Sequence, residues 1–508
     1  MMQVKNLTIT NIKDMSLICD DISFSVVNGQ RLAVIGEEGN GKSTLLKAIH
    51  DIDLIKGYAS YSGEIIKNGL KTGLLPQELD YEEHIKSIAE YFCGCDGFFD
   101  FTPKELSNAA YGLGLDTGFF YSEEKVGSLS GGEKVKLKIL KLIIENPDIL
   151  LLDEPSNDID MDTMIYVERF IKNCGKPVIY ISHDERLVEN TANCILHMER
   201  LRRKTIPRAT FSGIGYSEYI ERRLYGIKRQ ESNAKKEYSE FKKKEEKFLK
   251  IQQKVESSQN RVSRQDPFTA ALLKKKMHTV KSMEKRLEKE KSGLLERPDY
   301  EEAVNIKFTG NRVPAGKKIV DMYLDSLSVG EKVLSKDIRL LITGSQKVCI
   351  TGRNGSGKTT LLKAVAAEIK RIRGINTFYM PQDYMEGLEN KASAVEYLSE
   401  NDSDRGRIMS FLGSMNFTAD EMRRSIDSLS GGQKAKLFFI KIALNSYDVL
   451  ILDEPTRNFS AMSNIEIRRV LKEFKGTLIC VSHDRKFIDE VCDKVYVLDQ
   501  NGLTEKYN

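Results

Sequence analysis

The sequence predicts an α/β chain built twice, with an α-helical hairpin between the halves. Three observations carry that expectation. A glycine-rich loop ending in Lys and a hydroxyl residue occurs at 36–43 and again at 352–359. Each copy is followed, in one order, by Leu-Ser-Gly-Gly (129–132, 429–432), an apolar run ending Asp-Glu-Pro (153–155, 453–455) and Ser-His-Asp (182–184, 482–484). Between the copies lies a long stretch dense in charge and almost free of Gly and Pro.

The elements follow in chain order. Gly-Gln-Arg-Leu-Ala-Val-Ile-Gly (29–36) reads as a strand running into the first glycine loop, with a helix from Lys42 onward. Ile149–Leu152 and Val178–Ile181 are short, continuously apolar runs, the pattern of buried parallel strands. Tyr219–Lys254 has no Pro and one Gly, and Leu272–Leu287 continues in the same style. Apolar residues recur three or four apart. They are Tyr238, Phe241, Phe248 and Ile251 on one segment, and Leu272, Leu273, Met277, Val280, Met283 and Leu287 on the other. With a breaker at Asp266-Pro267, this predicts an antiparallel hairpin whose tip falls within 255–271. The second half then repeats the first, with Lys347–Thr351 as its entering strand.

Repeat spacing limits what else the chain can hold. Three landmarks give one offset: 453 − 153, 483 − 183 and 430 − 130 all equal 300. The loop lysines give 358 − 42 = 316, so the first copy carries 16 extra residues. Measured against Gln77 and Gln382, 11 of them precede the glutamine and 5 follow it. Neither copy has room for an inserted domain. The expected domains are 1–215, 216–304 and 305–508.

Composition narrows the class. No apolar run approaches the roughly 20 residues of a membrane span, and the start, Met-Met-Gln-Val-Lys-Asn, has no apolar signal core. A cytoplasmic chain without a transmembrane partner is expected. Eight cysteines are too few for a disulfide scaffold, and most are scattered, as reduced core thiols would be. Cys93-Gly94-Cys95 is the one close pair, with no second ligand pair at zinc-like spacing. The net charge of +4 hides an uneven distribution. Residues 218–297 hold 23 Lys/Arg and 13 Asp/Glu, or +10, which leaves 4 − 10 = −6 for the remainder. A basic insert between acidic domains points to a polyanionic partner.

The motifs point to a nucleotide triphosphate. Gly36, Gly39 and Gly41 allow backbone N–H groups to face a phosphate chain, which Lys42 can reach while Ser43 ligates Mg²⁺ and Thr44 completes the nucleotide-binding set. Gly352, Gly355, Gly357, Lys358, Thr359 and Thr360 repeat the set. Asp153 and Asp453 end their strands where ligands bind in such sheets and can support the metal. Glu154 and Glu454 follow at once, placed to deprotonate an attacking water. Ser130-Gly131-Gly132 and Ser430-Gly431-Gly432 each open a helix and present N–H donors to an anion.

This set, over both halves, resembles the ATP-binding cassette (ABC) superfamily. The resemblance implies cassettes paired head to tail, each nucleotide held between one phosphate loop and the other cassette's signature. Lys42 would then work with Ser430, and Lys358 with Ser130. It also implies that Gln77 and Gln382 contact Mg²⁺ and the attacking water, and that His183 and His483 contact the γ-phosphate. Tandem cassettes with a helical linker resemble the ABC-F branch, whose members act on ribosomes in their ATP-bound state. The second Glu-Pro-Thr-Arg-Asn-Phe-Ser (454–460) loses a final Asp at Ser460, while the first copy keeps Asp160 but has Asp158 where His is usual. That variant, and the absence of a long insert after Gln77, resemble the antibiotic-resistance group of the Vga, Lsa and Vml proteins. The implied function is protection of the ribosome from peptidyl-transferase-centre antibiotics, with ribosomal RNA and tRNA met by the basic linker. The alternatives are a housekeeping translation factor and, less favoured, the ATPase subunit of a drug exporter. No aromatic residue stands convincingly before either loop to stack adenine, so GTP use is left open beside ATP.

Overall fold

A computed structural model describes residues 1–157, 159, 161–201, 205–259, 267–292, 308–310, 313–330, 332–388, 393–400 and 404–506. The chain forms two compact units: Met1–Tyr216 together with Glu301–Asn508, and Ser217–Tyr300.

In the first unit, the first half holds β1 (Met2–Asn11), β2 (Leu17–Val26), β3 (Arg31–Ile35), β4 (Ala59–Ile66), β5 (Thr72–Leu75), β6 (Ile149–Asp153), β7 (Val178–Ile181), β8 (Cys194–Arg200) and β9 (Ile206–Ser212). The second half holds β10 (Thr309–Gly310), β11 (Lys318–Val329), β12 (Lys332–Thr343), β13 (Lys347–Thr351), β14 (Thr377–Met380), β15 (Ser446–Tyr447), β16 (Val449–Asp453), β17 (Thr477–Val481), β18 (Lys494–Asp499) and β19 (Gly502–Lys506). The main sheets run β5-β6-β7-β3-β8-β9 and β14-β16-β17-β13-β18-β19. Matching ranks are matching strands of the repeat, and in each sheet only the last pair is antiparallel. Every residue of β6 and β16 is buried, as expected of strands covered on both faces.

The unequal repeat spacing has a structural cause. β1 pairs with both β2 and β4, whereas β11 pairs only with β12 among the described residues. Between its loop helix (Lys42–His50) and β5, the first half inserts a short turn and β4. The second half passes from helix Lys358–Lys370 to β14 without them.

The second unit contains helices Tyr216–Gln259 and Pro267–Ser292. Pro267 opens its helix, where the missing N–H costs nothing. Lys244 pairs with Glu290, and Phe248 and Ile251 share a groove with Met283 and Leu287. Earlier residues of one helix thus meet later residues of the other, so the pair is antiparallel. The seam is narrower than the sequence pattern implies. Ala234, Phe241 and Phe248 are buried at seven-residue spacing on one helix, and Val280 is buried on the other. Tyr238 and Ile251 are exposed instead, at 61% and 42%. The expected tip residues Arg261, Arg264 and Gln265 lie outside the described residues, as do the side chains of Phe268, Leu272 and Leu273.

Candidate nucleotide sites

β3 and β13 each lie near the centre of a parallel sheet, and the chain turns from their C-terminal ends into the glycine loops. Gly36 and Gly352 have φ of 145° and 151°. A Cβ there would lie 2.0 Å and 2.4 Å from the carbonyl oxygens of Met198 and Leu498, so the loops require glycine. Lys42 Nζ donates to the carbonyls of Gly36 (2.9 Å) and Glu37 (2.8 Å), and Lys358 Nζ to those of Gly352 (2.9 Å) and Arg353 (3.0 Å). Both ammonium groups are thus held inside their own loops, where a phosphate chain would lie.

Asp153 and Asp453 close β6 and β16 beside those loops. Ser43 Oγ donates to Asp153 Oδ1 at 3.0 Å. Burial pushes the Asp153 carboxyl up to about 6, against the pull of that hydrogen bond. Both Asp453 oxygens are buried without completing a hydrogen bond, and burial raises this carboxyl too, opposed by nearby Thr359 and Lys358. A desolvated carboxylate beside a hydroxyl is an oxygen donor set that fits Mg²⁺. Ser43, Asp153, Thr359 and Asp453 would hold it, and the ion would neutralise phosphate charge.

Glu154 and Glu454 both adopt positive φ, 48° and 52°, and their N–H groups bond to Ile181 and Val481 across the sheet. The two carboxylates then diverge. Glu154 Oε1 lies 3.3 Å from His183 Nε2, and its other oxygen accepts from Asn157. Burial alone would raise the Glu154 carboxyl, but His183, Lys42 and Asn157 together outweigh it and the net shift is downward. Glu454 sits 3.9 Å from His483 Nε2 and accepts from the His483 N–H at 3.3 Å. Burial, reinforced by the adjacent Asp453 charge, pushes it up to about 8.

Ser130 and Ser430 are helix N-caps. Each closes a capping box with the residue three on, Glu133 or Gln433. The second signature faces the first glycine loop: Gly432 N–H donates to Glu38 Oε2 at 3.2 Å, and Lys436 Nζ reaches Glu37 Oε1 at 3.0 Å. Glu37, Glu38, Gly39, Ser430 and Gly432 line one cavity of about 440 Å³. A second cavity, of about 630 Å³, brings Gly355, Lys358, Thr359, Gln382, Glu454 and His483 against Ser156, Asn157 and His183 of the first half. Ser130, Gly131 and Gly132 do not line it. Gln77 and Gln382 both follow strand ends and are exposed. His183 Nδ1 also contacts the Phe459 carbonyl at 3.2 Å, so its ring bridges the two halves. Ser460 caps helix Ala461–Glu473 by accepting from Ser463 N–H, while Asp158 and Asp160 lie outside the described residues.

Some participants were not anticipated. Glu37 and Glu38 are unremarkable positions within the loop pattern, and only the fold sets them against the opposite signature. Ile18 and Leu334, both aliphatic, stand close to Gly41 and Gly357. Their numbers differ by 334 − 18 = 316, the offset of the two loops. The cysteines are also less scattered than the sequence suggests. Cys349, Cys480 and Cys492 converge with their sulfurs within 4.8 Å of one another.

Among the described residues no helix is long and apolar enough to cross a membrane. The ABC transporter family profile matches residues 19–157 and 335–457. Along nearly its whole length the chain is similar to the ribosome protection protein VmlR of Bacillus subtilis. The two are 27% identical, over 99% of this chain and 88% of that one. The energy-dependent translational throttle protein EttA of Haemophilus influenzae is 26% identical over 96% and 90%. Among solved structures, the archaeal ribosome recycling factor aABCE1, in complex with the stalk protein aP1, aligns with a TM-score of 0.61. It is 18% identical and covers 98% of this chain and 89% of that one, a likeness of fold. With both cassettes matched and the phosphate-loop, signature and acidic motifs present in each half, the chain belongs to the ABC transporter family as a tandem-cassette ATPase.

Proposed function

We propose that this chain is a cytoplasmic ATPase that binds the ribosome in its ATP-bound state and protects it from antibiotics of the peptidyl-transferase centre. The observation that carries this reading is the basic linker joining paired cassettes. Lys235, Lys236, Lys242, Lys243, Lys250, Lys274–Lys276, Lys281 and Lys285 are all exposed on its helices, a surface suited to RNA phosphates. The whole-length likeness to a ribosome protection protein supports the same reading. In this scheme ATP with Mg²⁺ occupies both sites. Lys42 and Lys358 hold the phosphates, the signatures of Ser430 and Ser130 complete them, and Glu154 and Glu454 activate water. Hydrolysis releases the protein. The domains are taken as 1–215, 216–304 and 305–508.

Replacing Glu154 and Glu454 together by Gln leaves the phosphate loops intact and removes the bases. The double variant is expected to co-sediment with ribosomes in ATP and to block translation; a variant that stays in the supernatant removes the reading's support. A second reading, a translation factor acting without drug, is favoured by the likeness to the translational throttle protein. Expression in a drug-sensitive host separates the two. Raised resistance to peptidyl-transferase antibiotics supports protection, and unchanged susceptibility with altered growth supports the factor.

A further inference from the structure

The two cassettes meet through ion pairs whose charges are exchanged between the copies. Arg468, in helix Ala461–Glu473, grips Glu185 of the first cassette through both terminal nitrogens, at 2.6 and 3.0 Å, and both side chains are almost fully buried. The equivalent contact by the 300-residue offset joins position 168 to position 485. There Glu168, in helix Met161–Asn173, accepts from Arg485 at 3.2 Å. The first cassette thus supplies glutamate at both positions, 168 and 185, and the second supplies arginine at both, 468 and 485. The supporting residues are exchanged to match. Arg468 also bonds the carboxylate of Glu490 at 2.9 Å, while Glu168 accepts from the amide of its counterpart, Asn190, at 3.0 Å.

A neighbouring set behaves differently. Lys486 pairs with Glu189 at 2.9 Å, and Arg186 pairs with Asp489. Here both cassettes carry a cation at the first position and an acid at the second. Such a contact is self-complementary and would form equally well between two like cassettes.

We infer that the exchanged pairs, Arg468–Glu185 and Glu168–Arg485, are a recognition device that accepts only the opposite cassette as partner and rejects the same cassette of a second copy of this chain. Two first cassettes in this arrangement would face Glu168 with Glu185 twice, and two second cassettes would face Arg468 with Arg485 twice. Facing like charges at these contacts, one of them almost fully buried, is unfavourable even with Lys172 beside Glu168 and Glu490 beside Arg468, which makes the surface selective as well as adhesive. A tandem protein whose halves share one fold faces this pairing ambiguity whenever two copies meet.

The test uses the full chain in three forms. E168R/E185R makes both cassettes cationic at the exchanged positions, R468E/R485E makes both anionic, and the quadruple exchange restores both pairs with reversed polarity. Intramolecular energy transfer between dyes on the two cassettes reads pairing, and light scattering reads association. Each double variant is expected to lose pairing, with an apparent equilibrium shift of at least ~100-fold. The quadruple variant is expected to recover it as a monomer. Mixing the two double variants is expected to create a complex that neither forms alone. Thermal unfolding with parental cooperativity controls for folding. Double variants that pair as well as the parent overturn the inference, as does a folded quadruple variant that does not recover pairing.

Discussion

Glu37 and Glu38 occupy positions held in the second loop by Arg353 and Asn354. Their carboxylates take up donors of the opposite signature, Lys436 and Gly432 N–H, that would otherwise be offered to an anion. A triphosphate entering the first loop must therefore displace or approach two negative charges. Replacing them by the neutral isosteres, E37Q/E38Q, should tighten nucleotide binding at this site by roughly 1–2 kcal/mol, about 5- to 30-fold. Equilibrium binding of a fluorescent ATP analogue to a K358A background, where only the first site is intact, measures it. Weaker binding in the double variant would mean that the carboxylates brace the loop. The site glycines, lysines and acids could be named from the sequence because each belongs to a short, ordered pattern. The two glutamates could not, since their partners lie almost 400 residues away and no local pattern requires them.

At the scale of elements, two core strands were legible with correct ends, whereas the strand read over 29–36 is the shorter β3, Arg31–Ile35. Lys347–Thr351 and Val178–Ile181 are continuous apolar runs bounded by polar residues, and such runs have few alternatives. β4 was not legible as a strand, although the 11-residue surplus marked its place. Its residues, Ala59–Ile66, are mostly exposed and carry little apolar pattern. The hairpin was legible as a hairpin but its seam was not, because a charged helix offers several apolar residues and only partner contact selects among them. Phe241 and Phe248 are buried on the first helix with Ala234, and Val280 is buried on the second. Phe241→Ala is expected to destabilise the linker by about 3 kcal/mol, whereas Tyr238→Ala should change it by less than about 0.5 kcal/mol. Helical ellipticity followed through thermal unfolding compares them. Equal losses would show that both aromatics pack.

For the whole molecule, the consequence of two near-copies in one chain is that their active sites need not be equal. Glu154 is held ionised by His183, Lys42 and Asn157, so a base is ready at neutral pH. Glu454 is pushed up to about 8 by burial and by Asp453, so at pH 7 it is mostly protonated and cannot accept a proton from water. General-base activity needs the ionised form, which is gained as pH rises through the raised value. A chain working only through the second site, E154Q, should therefore hydrolyse faster as pH goes from 6.5 to 8.5. The rise approaches tenfold per pH unit well below the Glu454 value and levels off above it. A chain working only through the first site, E454Q, should be nearly flat over the same range. Steady-state ATPase rates at saturating nucleotide, taken for both variants across that interval, give the comparison. Coincident profiles would mean that ligand binding equalises the two carboxyls, and that the asymmetry belongs to the nucleotide-free chain alone.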